Sequence, residues 1–297
     1  MVAFRGMDAN AVNYCSPREV GALLRERGIR PSKALGQNFL VDRNVLARIV
    51  EAAALPPGAH ALEVGAGLGV LTAALLDAGA RVTAVEKDAA LWPVLEERFA
   101  GRPGFALVKG DALELGWDAL LGAPDGPRHL VSNLPYSVGS RVVVDAACCA
   151  APPDTMTLLL QKEVGERFAA PAGSPARGAA SVWLQRLYDV RAVRDVPPGC
   201  FLPRPEVTSV VLALRRHGRH PLAPAAAATF RALVREAFLH RRKQLASSMR
   251  GAGGGLARDP DFVRAALAAA GAPETARPGE LSVAQWIALS QQWSQPC

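Results

Sequence analysis

Asn133-Leu134-Pro135-Tyr136 follows the short apolar run His129–Ser132, and these four residue types in this order can hold a planar amine. The proline fixes a turn that points the Asn133 amide and the Leu134 carbonyl outward from the strand end. An amide oxygen and a backbone carbonyl one amino group apart offer two acceptors to the two N–H groups of an –NH2. Tyr136 adds a flat face on which a base can stack. Alone, the tetrad would be no more than a proline turn with a surface tyrosine.

Three other strand ends give it company. Leu62-Glu63-Val64 runs into Gly65-Ala66-Gly67-Leu68-Gly69 and then a helical stretch, so the backbone can turn tightly and approach a ligand where a Cβ would collide. The dinucleotide fingerprint is GxGxxG; this run is GxGxG, which disfavours a nicotinamide oxidoreductase. The next strand ends in Glu86, placed to accept from both hydroxyls of a ribose. The third runs through Lys109-Gly110 into Asp111, which can accept from an adenine amino group. Each acid alone would pass for a solvated loop residue. At one sheet edge behind a glycine loop, the three together indicate a bound nucleoside, because open α/β sheets bind ligands there.

The elements that position these residues alternate. Ser16-Pro17-Arg18-Glu19 has the form of a capping box opening a helix to Arg27 that ends at Gly28. A polar stretch, Ile29 to Val41, follows. Asp42 caps a second helix with Val45, Leu46, Ile49, Val50 and Ala53 on one face, and Pro56-Pro57-Gly58 stops it. His60–Val64, Arg81–Glu86, Phe105–Val108, His129–Ser132 and Thr155–Leu160 read as strands, with helices over Val70–Ala78, Asp88–Ala100 and Val138–Ala150 between them. The pattern predicts an α/β fold with a mostly parallel, doubly wound sheet. Glu206–Leu214 is a late strand expected to pair antiparallel near one edge. His217–Pro224 reads as a linker, and beyond it the signals are helical only: Ala225–Leu239, His240–Met249, Asp261–Ala270 and Ser282–Trp293. The expected division is an unstructured extension over residues 1–15, a nucleoside-binding domain over 16–216, and a small all-helical domain over 225–297.

Half of the 297 residues are hydrophobic and 21% are charged, which excludes wholesale disorder. No apolar run approaches the roughly 18 residues of a membrane helix, and MVAFRGMDAN lacks a signal-peptide core. Cys15, Cys148, Cys149, Cys200 and Cys297 form no CxxC pair, and His217 and His220 lack useful partners, so no metal is expected and a reducing cytoplasm fits. The net charge of +7 is uneven. Arg18–Arg48 carries +4, Ile49–Leu214 carries −4, and Arg215 to the C-terminus carries +7. Two basic ends around an acidic body suit a grip on polyanionic phosphate. The candidate contacts are Arg25, Arg27, Arg30 and Lys33 at one end, and Arg231, Arg235, His240, Arg241, Arg242, Lys243 and Arg250 at the other, where Glu236 is the one acid among them.

Asn133–Tyr136 is the NLPY form of the motif of adenine-N6 methyltransferases, and Glu63–Gly69 resembles their S-adenosylmethionine loop. The chain resembles the small-subunit (16S) ribosomal RNA adenine N6,N6-dimethyltransferases, the KsgA/RsmA family, from about residue 17 to about 290. The resemblance rests also on Leu35-Gly36-Gln37-Asn38-Phe39-Leu40, on Gln161-Lys162-Glu163-Val164, on Phe201 to Ser209, and on Phe238 with Arg241-Arg242-Lys243. It implies a Rossmann-like class I methyltransferase fold with S-adenosylmethionine as cofactor. Asn38 and Leu40 would close over the methionine end, Gly65 and Gly67 would pass beneath it, and Glu86, Asp111 and Ala112 would line the rest, with Asn133 between cofactor and substrate. Asn133 and Leu134 would hold the target amine, while Tyr136 and Phe201 sandwich the flipped base. The implied substrate is a pair of adjacent adenosines near the 3′ end of small-subunit ribosomal RNA, within a partly assembled subunit. Arg177-Gly178-Ala179-Ala180-Ser181 departs from the family's Tyr-Gly-x-Leu-Ser. Two other functions stay open: an Erm-type methyltransferase acting on large-subunit rRNA, and a non-catalytic RNA-binding assembly factor.

Overall fold

The computed structural model describes residues 12–293 apart from 124, 125 and 127. The chain divides into two compact units. One runs to Gly165 and resumes over Arg191–Arg216; the other comprises Glu166–Val190 and the chain from His217 onward. Residues 166–190, which the sequence pattern assigns to the nucleoside-binding domain, thus belong with the C-terminal helices.

The described residues form strands β1 (Phe39–Leu40), β2 (His60–Val64), β3 (Arg81–Glu86), β4 (Phe105–Lys109), β5 (His129–Asn133), β6 (Thr155–Gln161), β7 (Tyr188–Val196), β8 (Phe201–Leu202) and β9 (Ser209–Arg216). Seven of them make one sheet in the order β4-β3-β2-β5-β6-β9-β7, while β1 and β8 pair separately. β2 to β6 run parallel, and β9 lies antiparallel to β6 from Thr155↔Arg215 to Gln161↔Ser209. The parallel strands read as continuous apolar runs because both faces are covered; Leu62, Val131, Leu158 and Leu159 are fully buried. Register keeps the carboxyl ends level, with Val64 opposite Val85, Glu86 opposite Lys109, and Asn133 opposite Leu159. The strand ends and loops that carry Gly65, Gly67, Glu86, Asp111 and Asn133 therefore lie at one edge of the sheet.

Several boundaries differ from the sequence pattern, each for a local reason. The first helix, Pro17–Glu26, is capped by Ser16, whose Oγ accepts from the Glu19 amide at 3.4 Å. The capping box is not closed, since the Glu19 carboxylate accepts instead from the Asn13 amide at 2.7 Å. Val12, Tyr14 and Cys15 pack against the core, and Tyr14 lies 3.5 Å from the Arg98 guanidinium. The expectation of an unstructured start is thus wrong for residues 12–15; residues 1–11 lie outside the described chain. The helix expected from Asp88 begins at Trp92, which places Pro93 in the first turn where its missing N–H costs nothing. Asp88 itself shapes the preceding turn, its carboxylate accepting from the Ala90 amide at 3.0 Å.

In the second unit the helices Ala179–Leu187, Pro224–Leu239, Pro260–Ala269 and Val283–Trp293 enclose Phe230, Leu233, Leu267, Trp286 and Leu289, all fully buried. His240–Lys243 is a turn rather than the start of a helix; Leu245–Ser248 is α-helical and runs into a 3-10 turn over Met249–Gly251. The departure at 177–181 also finds its reason in this unit. Arg177 is buried, and its Nη1 donates to Ala170 O at 2.6 Å and Gln185 Oε1 at 2.8 Å, lacing the loop to the next helix. No helix of the described residues is long and apolar enough to cross a membrane.

Candidate active site

β2 and β5 are neighbours, yet the chain reaches β5 only after passing outward through β3 and β4. A crevice opens where the order reverses, beyond the carboxyl ends of these two strands. The turns that leave them touch there. A Cβ on Gly65 (φ +76°) would stand 3.1 Å from the Pro135 ring, and one on Gly67 (φ +61°) would stand 3.2 Å from the Phe39 ring. Both the left-handed backbone and the close approach exclude any larger residue. The cleft so formed is lined by Asn38, Leu40, Gly65, Gly67, Glu86, Asp111, Ala112, Asn133, Leu134 and Tyr136. It thereby gathers residues from stretches nearly a hundred positions apart.

Glu86 is 5% exposed, with Oε2 accepting from the Gly67 amide and Oε1 from the Asp88 amide, both at 2.8 Å. Burial pushes its pKa above the usual carboxylate value, while the Asp88 and Gly67 amides pull against it. Each oxygen keeps a second lone pair for a hydroxyl donor. Asp111 caps the helix Ala112–Leu115 by accepting from Leu113 N at 2.9 Å, and its other oxygen meets Lys87 Nζ at 2.8 Å. Burial alone would raise the Asp111 carboxyl, but the Lys87 hydrogen bond, the Leu113 amide and the Lys87 charge outweigh it and hold the carboxyl low.

Asn133 Nδ2 donates to the backbone carbonyl of Asn38 at 3.1 Å. That bond fixes the orientation of the amide and leaves Oδ1 as its acceptor end. The Leu134 amide bonds to Leu159 O at 2.9 Å, carrying the β5–β6 ladder one residue past the strand and holding the peptide flat. The Tyr136 hydroxyl is hydrogen-bonded to Ser209 Oγ, and burial raises its pKa against that bond. Phe201 departs from the expected sandwich. Its ring meets Tyr136 edge-on, centroids 6.4 Å apart at 71°, and is 3% exposed. Phe201 also pairs with Leu40 in the β1–β8 ladder, and of the two rings Tyr136 is the one that lines the cleft.

Three participants escape the sequence patterns. Glu63 is 1% exposed, receives the Thr72 hydroxyl at 2.5 Å, and is pushed by burial to about 8. Arg98 donates to the Leu68 carbonyl behind the glycine loop, and burial pulls its pKa down to about 10. Gln37 lines the cleft and bonds to Asp88 at 2.7 Å. Gln37 carries a signal in its position beside Asn38 and Glu63 one in opening the glycine-loop motif, though neither bond is visible there; for Arg98 nothing distinguishes it from a solvated charge until the packing is known.

Of the basic residues, Arg25, Arg30 and Lys33 are exposed in the first unit, whereas Arg27 is paired with Glu97 at 2.8 Å. In the second unit Arg235, Arg241, Arg242, Lys243 and Arg250 are exposed. Arg241 also donates to Pro175 O, and the Glu236 carboxylate accepts from the Gly253 amide at 3.2 Å. Among the described residues no three His, Cys, Asp or Glu side chains gather as a metal centre requires.

An open cleft at the switch point of this mostly parallel sheet, with the glycine loop, Glu86, Asp111 and the Asn133 amide in its lining, defines a Rossmann-like class I methyltransferase. The residues fit S-adenosylmethionine: two carboxylates keep lone pairs for hydroxyl and amino donors, and the glycine cradle would be filled by a Cβ. The model of the family described as ribosomal RNA adenine dimethylase matches residues 29–263, and the chain belongs to that family. The protein from Phenylobacterium zucineum called ribosomal RNA small subunit methyltransferase A is 39% identical over 270 residues, 91% of this chain and 90% of its own. Its namesake from Anaeromyxobacter sp. (strain K) is 42% identical over 290 residues, 94% of this chain and 98% of its own. Among solved structures, the 23S rRNA methyltransferase ErmE aligns with TM-score 0.65 at 30% identity, covering 87% of this chain and 100% of that one.

Proposed function

We propose that the protein transfers methyl groups from S-adenosylmethionine to the exocyclic N6 amine of adenosines in small-subunit ribosomal RNA, twice at each, as a step in subunit assembly in the cytoplasm. The observation that carries this reading is the Asn38–Asn133 hydrogen bond, which leaves the amide oxygen as the acceptor beside Tyr136.

An adenine amine is a poor nucleophile because its lone pair is delocalised into the ring. Asn133 Oδ1 and the Leu134 carbonyl accept its two N–H groups, favouring a more tetrahedral nitrogen with its lone pair aimed out of the ring plane. The same two dipoles stabilise the positive charge that develops there as the N–C bond forms. S-adenosylmethionine, when bound, supplies an electrophilic methyl on a cationic sulfur. An N-protonated aminopurine is strongly acidic, so its proton passes to water and no dedicated base is needed. Positioning does most of the work, contributing up to roughly 7–11 kcal/mol. Tyr136 offers a stacking face, which offsets about 1–3 kcal/mol of the cost of flipping the base. The exposed Arg25, Lys33, Arg235, Arg241, Arg242 and Lys243 would meet RNA phosphates.

The test is methyl transfer from labelled S-adenosylmethionine to small ribosomal subunits from a strain lacking the gene, followed by nucleoside analysis. Dimethyladenosine in the small-subunit RNA is the expected result. The likeness to ErmE supports a second reading, methylation of large-subunit rRNA, so large subunits belong in the same assay. Cofactor binding without transfer to either would move the substrate to another RNA or assembly state. No cofactor binding would leave an assembly factor.

A further inference from the structure

The segment 32–40 crosses the mouth of the cleft, with Gln37, Asn38, Phe39 and Leu40 in its lining. Its far end is anchored by the β1–β8 ladder, where Phe39 faces Leu202 and Leu40 faces Phe201. On the amine side it is held twice. A Cβ on Gly36 would stand 3.0 Å from the Tyr136 and Ser137 amides, and the Asn38 carbonyl accepts from Asn133 at 3.1 Å. On the ribose side, one hydrogen bond among the described residues ties this segment to the loops after β2, β3 and β4: Gln37 Nε2 to Asp88 Oδ2, 2.7 Å.

Both ends of the Gln37 amide are used. Oε1 accepts the Ser32 amide at 2.7 Å, closing a turn with the Gln37 amide donating to Ser32 O at 3.2 Å, while Nε2 faces Asp88. Asp88 is equally committed. Its Oδ1 accepts the Ala90 amide at 3.0 Å, and its own amide donates to Glu86 Oε1 at 2.8 Å. A chain of polar contacts therefore runs from Gly67 through Glu86 and Asp88 to Gln37, then through the backbone of Asn38 to Asn133.

We propose that Gln37 is a positioning residue whose clasp on Asp88 sets the carboxylate that holds the ribose in register with the amide that holds the reacting amine. It touches neither reacting atom; it fixes the distance between the two halves of the site. The proposal rests on the methyltransferase reading above and extends it.

The polarity of the clasp makes it testable by exchange. Gln37→Glu sets a carboxylate against the Asp88 carboxylate and removes the donor. Asp88→Asn must keep its oxygen on the Ala90 amide, so its new amide nitrogen meets Gln37 Nε2, donor against donor. The double variant reverses the bond: the new amide at 88 donates to the introduced carboxylate, which still accepts the Ser32 amide. The cofactor KM and the dissociation constant of S-adenosylhomocysteine should rise about tenfold in each single variant. Turnover should fall between tenfold and about a hundredfold, the order of loss expected from a 1 Å misplacement. The double variant should return to within about threefold of wild type, since each of its polar atoms is again paired.

Hydrogen exchange of the cofactor-free protein supplies a readout that does not depend on activity. Exchange should rise in both segments, 32–40 and 86–90, in either single variant and return in the double. Single variants that match wild type in binding and exchange would overturn the proposal, as would losses that the double variant fails to restore. A wild-type protein that neither binds the cofactor nor transfers methyl would sink the functional reading instead, and the exchange data would still decide whether the clasp couples the two segments.

Discussion

Replacing Glu63 with glutamine should remove a pH-dependent burden from the sheet while keeping its shape, because the amide can still receive the Thr72 hydroxyl. The carboxyl is 1% exposed, and burial raises its pKa from 4.5 to about 8, so no solvent screening discounts the effect. Between those two values the folded state holds a proton that the unfolded state releases. The sign follows: the stability linked to Glu63 is complete below pH 4.5 and is lost as pH rises to about 8. At about 1.4 kcal/mol per pH unit, the whole span comes to about 5 kcal/mol. Urea unfolding of the sheet-bearing unit at pH 6, 7, 8 and 9, read as variant minus wild type, cancels every other titration. Glu63→Gln should gain on wild type steadily from pH 6 to 8 and hold level beyond. A difference that stays constant over this range would refute the buried, protonated carboxyl.

Asn133→Ala should lower turnover by about a hundredfold to a thousandfold with S-adenosylhomocysteine affinity within a few-fold, since it removes one acceptor aimed at the reacting amine; steady-state kinetics beside calorimetry would expose unchanged turnover. Glu86 has its pKa raised by burial, and only the carboxylate can receive two ribose hydroxyls. Affinity for S-adenosylhomocysteine should therefore weaken as pH falls, beginning above the ordinary carboxylate range, and Glu86→Gln should flatten that profile; identical slopes would speak against the contact. Arg242→Ala with Lys243→Ala should reduce the salt dependence of RNA binding by about two phosphate contacts and leave the rate at saturating RNA unchanged. An unaltered salt slope would remove both side chains from the RNA interface.

Much of the sheet was legible because its strands are short apolar runs bounded by glycine and proline, and because the strand ends carry unusual residues. Gly65, Glu86, Asp111 and Asn133 were each placed by the pattern that precedes them, and register did the rest. What the sequence hid was pairing at a distance. Phe39 and Leu40 looked like the end of a polar stretch, since a two-residue strand has no period to detect, and its partner lies some 160 residues on. Phe201, whose stacking role is implied by the resemblance, carries no mark in the sequence of its pairing with Leu40 or of its edge-on meeting with Tyr136. Residues 166–190 carry no mark in the sequence of which core they join, and Arg177, buried in the structure, looks there like any surface arginine. His240–Lys243 forms a turn where the pattern predicts helix, because a run of basic residues carries no backbone signature.

The interleaved path of the chain has a consequence for how the protein is made. β6, a seven-residue strand with five buried positions in a row, gains its antiparallel neighbour only when β9 emerges some fifty residues later. Through that interval its edge offers unpaired backbone groups to any other nascent chain. Meanwhile Ala179–Leu187 must wait for helices beginning at Pro224 before its apolar face is covered. No single cut can release either unit intact, because the chain passes between them three times. Slow synthesis across residues 162–208 would then be a hazard rather than a help, and the final helix, Val283–Trp293, completes a core that was begun before the sheet itself was closed.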